Sequence, residues 1–184
     1  MAIPKPMSTI SCARYHKLSI GLHWIMLLLL IAVYATIELR ELFPKGTDAR
    51  KALKMWHFML GLSVLAFAIL RLVIRLRNET PAIIPAITVW QQWLSKIMHL
   101  ALYALMMGMP IGGWLILSGE AQTIPFFGLE LPPLIGPNKE FASTIKEIHE
   151  TFGKTGYFLI GLHALAGLYH HYIVKDNTLK RMLP

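Results

Sequence analysis

Four stretches of the chain lose almost all their polar residues. Positions 20–37, 58–74, 97–117 and 157–174 are apolar with few interruptions, and the segments between them carry most of the charge and proline. A helix rises about 1.5 Å per residue, so about 20 apolar residues cross a hydrocarbon core about 30 Å thick. Each run meets or approaches that length. Backbone polar groups in lipid must be satisfied within the segment, which makes the runs helices. The pattern predicts an all-α integral membrane four-helix bundle, a single domain over 1–184 with spans near 18–38, 55–76, 92–117 and 146–174.

The connecting segments carry their own signals. Residues 1–17 form a basic arm; the run that follows is longer than a signal-peptide core and carries His23, so it reads as a retained first helix. Residues 38–54 form a charged outer loop turning at Pro44 and Gly46. Residues 78–88 form a proline-punctuated loop. GMPIGGW at 108–114 is expected to bend the third helix. The longest loop, 118–143, contains PFFGLELPPLIGP, too short and broken to span, and is expected to cap the outer end of the bundle. KDNTLKRMLP reads as a polar tail.

Composition sharpens this picture. With 184 residues, 55% hydrophobic and 15% charged, the chain has no soluble-core reading. The formal charge of +8 sits largely at helix ends, and no nucleic-acid motif accompanies it. One cysteine, Cys12, excludes an internal disulfide and a cysteine-based metal cluster. Four spans place both termini and the 78–88 loop on one side, with Lys5, Arg14, Lys17, Arg71, Arg75, Arg77, Lys96, Lys175, Lys180 and Arg181. The other side has the smaller basic count, so the termini are expected to be cytoplasmic.

The histidines add chemistry. His149 and His163 are 14 residues apart, about 40° short of four turns, so they leave nearly the same helix face about 21 Å apart in depth. His57 and His149 each stand three residues inside a lysine, Lys54 and Lys146, and match in depth as an outer pair. His23 and a fourth-helix histidine make an inner pair. By depth alone His170 matches His23 as well as His163 does. His170 would lie about 32 Å from His149 along the helix, too far for useful electron transfer, which selects His163. Two axial imidazoles hold a six-coordinate haem b, and four ligands in two layers hold two. Zinc would need its ligands in one tetrahedron. Each histidine taken alone has a plainer reading, as an interhelical hydrogen-bond partner or an interfacial side chain. Arg71, 14 residues beyond His57, and Arg75 anchor the cytoplasmic end and are placed to neutralise an acidic cofactor group.

GLHW in the first helix, KMWHFMLG in the second and KEIHET...GYFLIGLHALAGLYHHY...KDNTLKRMLP at the end resemble the bacterial cytochrome b561 family. The resemblance covers about residues 15–184 and is weakest over 118–143. It implies a four-helix di-haem b protein of the bacterial inner membrane, with ligands His23, His57, His149 and His163. The likeness is to the superoxide-oxidising members of the family. It implies electron transfer from periplasmic superoxide to ubiquinone. The alternative is a haem b carrier subunit linking quinones to a partner redox protein.

For the first function, Lys54 and Lys146 would attract the superoxide anion, with Lys51 and Lys139 adding to the field, although ordinary interfacial lysines look the same. His170, seven residues past His163, would serve the quinone side, with His99, His16 and Asp176 as further candidates. A haem-free transporter using histidines as proton relays is the third reading.

Overall fold

The computed structural model describes residues 14–184. The basic arm up to residue 13, including Lys5 and Cys12, lies outside the described residues. Four long helices follow, α1 (Lys17–Leu39), α2 (Asp48–Arg77), α3 (Val89–Gly119) and α4 (Lys139–Tyr169). A two-stranded hairpin, β1 (Ile124–Phe126) and β2 (Leu129–Leu131), interrupts the last loop. The all-α membrane bundle expected from the apolar runs is the architecture observed.

Three helices are long and apolar enough to cross a membrane: α1 with its extension to Leu42, α2 and α3. Helix α4 differs because its first half is polar, and its apolar run starts at Tyr157. Large apolar side chains point outward along the bundle, among them Leu28 and Ile31 on α1, Leu100 on α3 and Phe158 and Leu165 on α4. Such a surface suits lipid rather than water.

Two helices begin well outside their expected starts. Thr47 accepts from the Arg50 amide and opens α2 at Asp48; Asn138 accepts from the Phe141 amide at 3.0 Å and opens α4 at Lys139. These are N-caps that satisfy backbone donors left free in the first turn. Lys51, Lys54 and Lys146 therefore lie on helices and not at their starts. The segment 40–47 is pinned by Arg50, whose Nη1 donates to the carbonyls of Arg40 and Phe43 at 3.0 and 2.8 Å. Helix α3 runs through Pro110 without interruption. At its outer end a Cβ on Gly119 would lie 2.9 Å from both the Ala142 Cβ and the Asn138 carbonyl, so α3 and α4 meet there backbone to backbone.

Close helix contacts run α1–α2, α2–α3 and α3–α4. The middle of the bundle is filled by Met26, Val64, Ala68, Leu102 and Met106, with Leu30, Phe67 and Ile160 against them. A second cluster, Leu62, Leu117 and Ile124, seats the hairpin on the outer end. Phe127 and Gly128 turn the hairpin, both at positive φ, and the Phe127 ring lies edge-on to Trp56 at 6.2 Å. The loop does cap the bundle, as a strand pair with register Ile124 to Leu131.

The tail is not a loose polar end. Past α4, a π turn (His170–Val174) leads into a segment that folds under the bundle. Asp176 and Arg181 are 2% and 5% exposed. Asn177 Oδ1 accepts from the Ile84 amide at 2.8 Å and its Nδ2 donates to the Ala82 carbonyl at 3.2 Å. Arg181 donates to the Pro81 carbonyl, and Trp24 Nε1 donates to the Met182 carbonyl at 2.9 Å. The tail thus joins α1 to the loop between α2 and α3. Asn177 and Arg181 thereby satisfy backbone groups of the 78–88 loop, which offsets part of the cost of their burial.

Candidate di-imidazole sites

Helix α4 presents His149 and His163, and each meets a histidine from a helix that is not its sequence neighbour. His149 faces His57 of α2, with ring centroids 6.4 Å apart and planes at 75°. His163 faces His23 of α1 at 6.3 Å and 76°. Two imidazoles bound on opposite sides of one metal, with bonds of about 2 Å, put their centroids about 6 Å apart. Both pairs have that spacing. They lie across the sides of the bundle where helix-to-helix contact is sparse.

Local sequence sets each ring. His57 Nδ1 lies 3.1 Å from the Val33 carbonyl. A carbonyl only accepts, so Nδ1 carries the proton and the neutral ring keeps its lone pair on Nε2. Metal-binding histidines are commonly fixed by such a bond. The His149 ring rests on the backbone of α3: a Cβ on Gly112 would lie 3.4 Å from its Nδ1, and one on Gly113 3.6 Å from its Cε1. Gly112 and Gly113 thus serve close approach to an imidazole. Gly153 and Gly156 of α4 admit Met109 and Tyr34 to close contact, whereas Gly108, Gly161 and Gly167 face open space. Tyr34 Oη also donates to the Gly153 carbonyl at 2.9 Å, tying α1 to α4.

The inner pair borders a partly open, largely apolar cleft lined by His23, Leu30, Arg71, His99, Tyr103 and His163 among others. His23 Nδ1 is buried without a hydrogen-bond partner among the described residues. His99 is a third imidazole here, 5.6 Å from His163, and its Nδ1 donates to the Ser95 carbonyl at 2.6 Å. Among the described residues no three histidine, cysteine or acidic side chains cluster as a metal site of their own. Paired imidazoles fit a haem, whose macrocycle supplies the remaining ligands.

The other expected residues fall into separate places. Arg71 lines the inner cavity, and Arg75 is not among its lining residues. Lys54 is half-buried with its Nζ 5.4 Å from the Phe58 ring, Lys146 and Lys139 are exposed, and Lys51 pairs with Asp48 at 3.2 Å. His16 accepts from the Leu18 amide at the start of α1. His170 does not continue the His163 face into the cavity. It stands where α4 passes into the π turn, with Nδ1 2.5 Å from the Asp176 carboxylate. Burial alone would push the Asp176 carboxyl up, but hydrogen bonds from His170 and Thr178 outweigh it and hold the group below its usual range. Sequence reasoning missed Tyr103, whose hydroxyl is buried and unpartnered, and it missed the tail's role; the only sequence hint of Tyr103 is its place four residues after His99.

Residues 14–184 match the family described as prokaryotic cytochrome b561. The chain is 40% identical over 171 residues to "Cytochrome b561 homolog 1" of Escherichia coli (strain K12), covering 93% of this chain and 97% of that protein. It is also 40% identical over 171 residues to "Probable superoxide oxidase CybB" of Yersinia pestis, covering 93% and 96%. "Cytochrome b561 homolog 2" of Escherichia coli (strain K12) is 26% identical over 172 residues. A match through both histidine pairs and the buried tail, with 40% identity along nearly the whole chain, makes this protein a member of the prokaryotic cytochrome b561 family of haem b electron-transfer proteins.

Proposed function

We propose that this membrane protein binds two haem b groups, one between His57 and His149 and one between His23 and His163, and moves electrons from superoxide to ubiquinone. The observation that carries the reading is the near equality of the two imidazole separations, 6.4 and 6.3 Å, at two levels of one membrane bundle. The 5.6 Å spacing of His99 from His163 is shorter than either, which favours His23 as the inner ligand. The relative from Yersinia pestis bears the name of a probable superoxide oxidase, which favours superoxide as the donor.

Haem b supplies a one-electron couple at each level. The chain's residues do the rest. His57 with His149, and His23 with His163, would each hold a haem from both sides and so leave dioxygen no place to bind. Two superoxide anions give one electron each and leave as dioxygen; ubiquinone takes both electrons with two protons and leaves as ubiquinol. Lys54 and Lys146, one turn outside the outer pair, raise the local concentration of the anion. Arg71 at the inner cavity, with Arg75 one turn on, offsets negative charge on the cofactor. His170, held by Asp176, lies on the quinone side and hands on protons. The protein sits in the bacterial inner membrane with both termini cytoplasmic. Superoxide thus reacts at the periplasmic face and quinone near the cytoplasmic one.

The test follows single half-reactions in reconstituted protein. Superoxide should reduce the haems within one fast phase, and His170→Ala should leave that phase intact while slowing quinone turnover about tenfold or more. Haem that stays oxidised in superoxide but is reduced by quinol would replace this reading with the carrier subunit that serves a partner redox protein.

A further inference from the structure

Arg71 is the odd residue of the inner cavity. It projects from α2 among Met26, Leu27, Leu30 and imidazoles, and it has no ion-pair partner among the described residues. The acidic residues lie elsewhere, in the outer segments, at Glu79 beyond α2 and at Asp176, which is already engaged by His170 and Thr178. A guanidinium in an apolar setting needs a counter-ion, and the described residues supply none there. Tyr103, facing the same cavity from α3, has a buried hydroxyl with no partner among the described residues. A buried hydroxyl left unpaired loses its hydrogen bonds to water without replacement, so it too needs an acceptor.

The third polar group of that wall behaves differently. His99 Nδ1 already donates to the Ser95 carbonyl, so that nitrogen is engaged, unlike Arg71 and the Tyr103 hydroxyl. The wall facing the His23–His163 pair therefore presents two donors, one cationic and one neutral, from two different helices. A neutral carbonyl in this place would leave the Arg71 charge uncompensated, whereas a carboxylate removes the charge and accepts both hydrogen bonds.

We infer that Arg71 and Tyr103 form a carboxylate clamp that receives a propionate side arm of the inner haem and fixes the rotation of the macrocycle between His23 and His163. Tyr103 is thus a positioning residue that the histidine pattern does not reveal, and Arg71 rather than Arg75 is the cation that touches the cofactor. The inference rests on the two-haem reading. A donor withdrawn from a propionate leaves more negative charge beside the iron and favours the ferric state. Both Tyr103→Phe and Arg71→Gln should therefore lower the potential of one haem, the one lost in His23→Ala, and leave the other in place.

The experiment uses the full-length holoprotein carrying haem with 13C-labelled carboxylates. Redox-difference infrared spectra isolate the labelled carboxylate bands, and a spectral titration resolves the two haems. Tyr103→Phe should shift a labelled band and change the inner reduction equilibrium about threefold; Arg71→Gln should do so about tenfold, the scale of one charge-assisted hydrogen bond. If Arg71→Gln fails to accumulate, Arg71→Lys carries the test: it keeps the charge, so the equilibrium holds within about twofold while the band still shifts. Labelled bands that are identical in wild type and Tyr103→Phe overturn the clamp. So do unshifted bands with a raised quinone requirement, because the two donors then serve the quinone. A wild-type protein that binds a single haem overturns the two-haem reading itself, and the haem count shows this before any variant is made.

Discussion

The outer and inner histidine pairs have nearly the same spacing and very different surroundings. At the outer pair, His57 is held by the Val33 carbonyl, the His149 ring lies on the Gly112–Gly113 backbone, and half-buried Lys54 and exposed Lys146 stand one turn away. At the inner pair there is a cavity holding an arginine, a third imidazole and an unpartnered hydroxyl, and the tail packs over the inner ends of α1 and the α2–α3 loop. The first environment is backbone-built and open to charge from water. The second is built from side chains and roofed by the chain itself. The difference teaches that one ring spacing, 6.3 to 6.4 Å, is built in two environments, which under the proposed reading would serve a small anion at one face and a large apolar partner at the other.

The sharpest way to break the comparison is to remove one ligand from each level. His149→Ala and His23→Ala should each lower the haem-to-chain ratio from two to about one, with different absorption maxima lost. Identical residual spectra would mean that the levels are not separate. A weaker blow falls on the outer face alone. Replacing Lys54 and Lys146 with glutamate should slow haem reduction by superoxide up to about tenfold at low ionic strength and flatten its salt dependence, while quinol-driven reduction holds. Stopped-flow traces at two salt concentrations check this. Slowing confined to the quinol side would reverse the assignment of faces.

The smallest effect concerns the inner roof. Asp176 is held low by its hydrogen bonds, so its carboxylate stabilises the fold above its unfolded value, about 3.9, and that stability fades as pH falls through the lower folded value. Asp176→Asn should lower the melting temperature by a few degrees at pH 7 and narrow its gap to wild type under acid conditions. A gap that stays constant down to acid pH would detach the roof from the His170–Asp176 contact.

Much of the frame was legible because lipid is a severe filter. Apolar runs gave four helices, and spacing of 14 residues on α4 put His149 and His163 on one face at two depths. The starts of α2 and α4 were not legible in the same way. Hydropathy ends where lipid ends, whereas these helices continue into polar turns opened by Thr47 and Asn138. The hairpin escaped because its turn places Phe127, a poor residue for positive φ, beside Gly128. The tail escaped for a deeper reason. Asn177 finds its partners in Ile84 and Ala82, more than 90 residues earlier, and a buried asparagine looks like a solvated one until those partners are known. Tyr103 is hidden in the same fashion, among aliphatic neighbours on an apolar helix.

Helix α4 carries one member of both histidine pairs, and it comes last in chain order among the four long helices. Neither site is complete until it inserts. A ribosome adding about 5–20 residues per second leaves His23 without its counterpart for on the order of ten seconds after it emerges. Pigment cannot be loaded onto a half-made chain with proper axial pairing, and a product stopped before residue 149 offers no complete site at all. Under the two-haem reading, the order of the helices would therefore delay both sites until α4 is made.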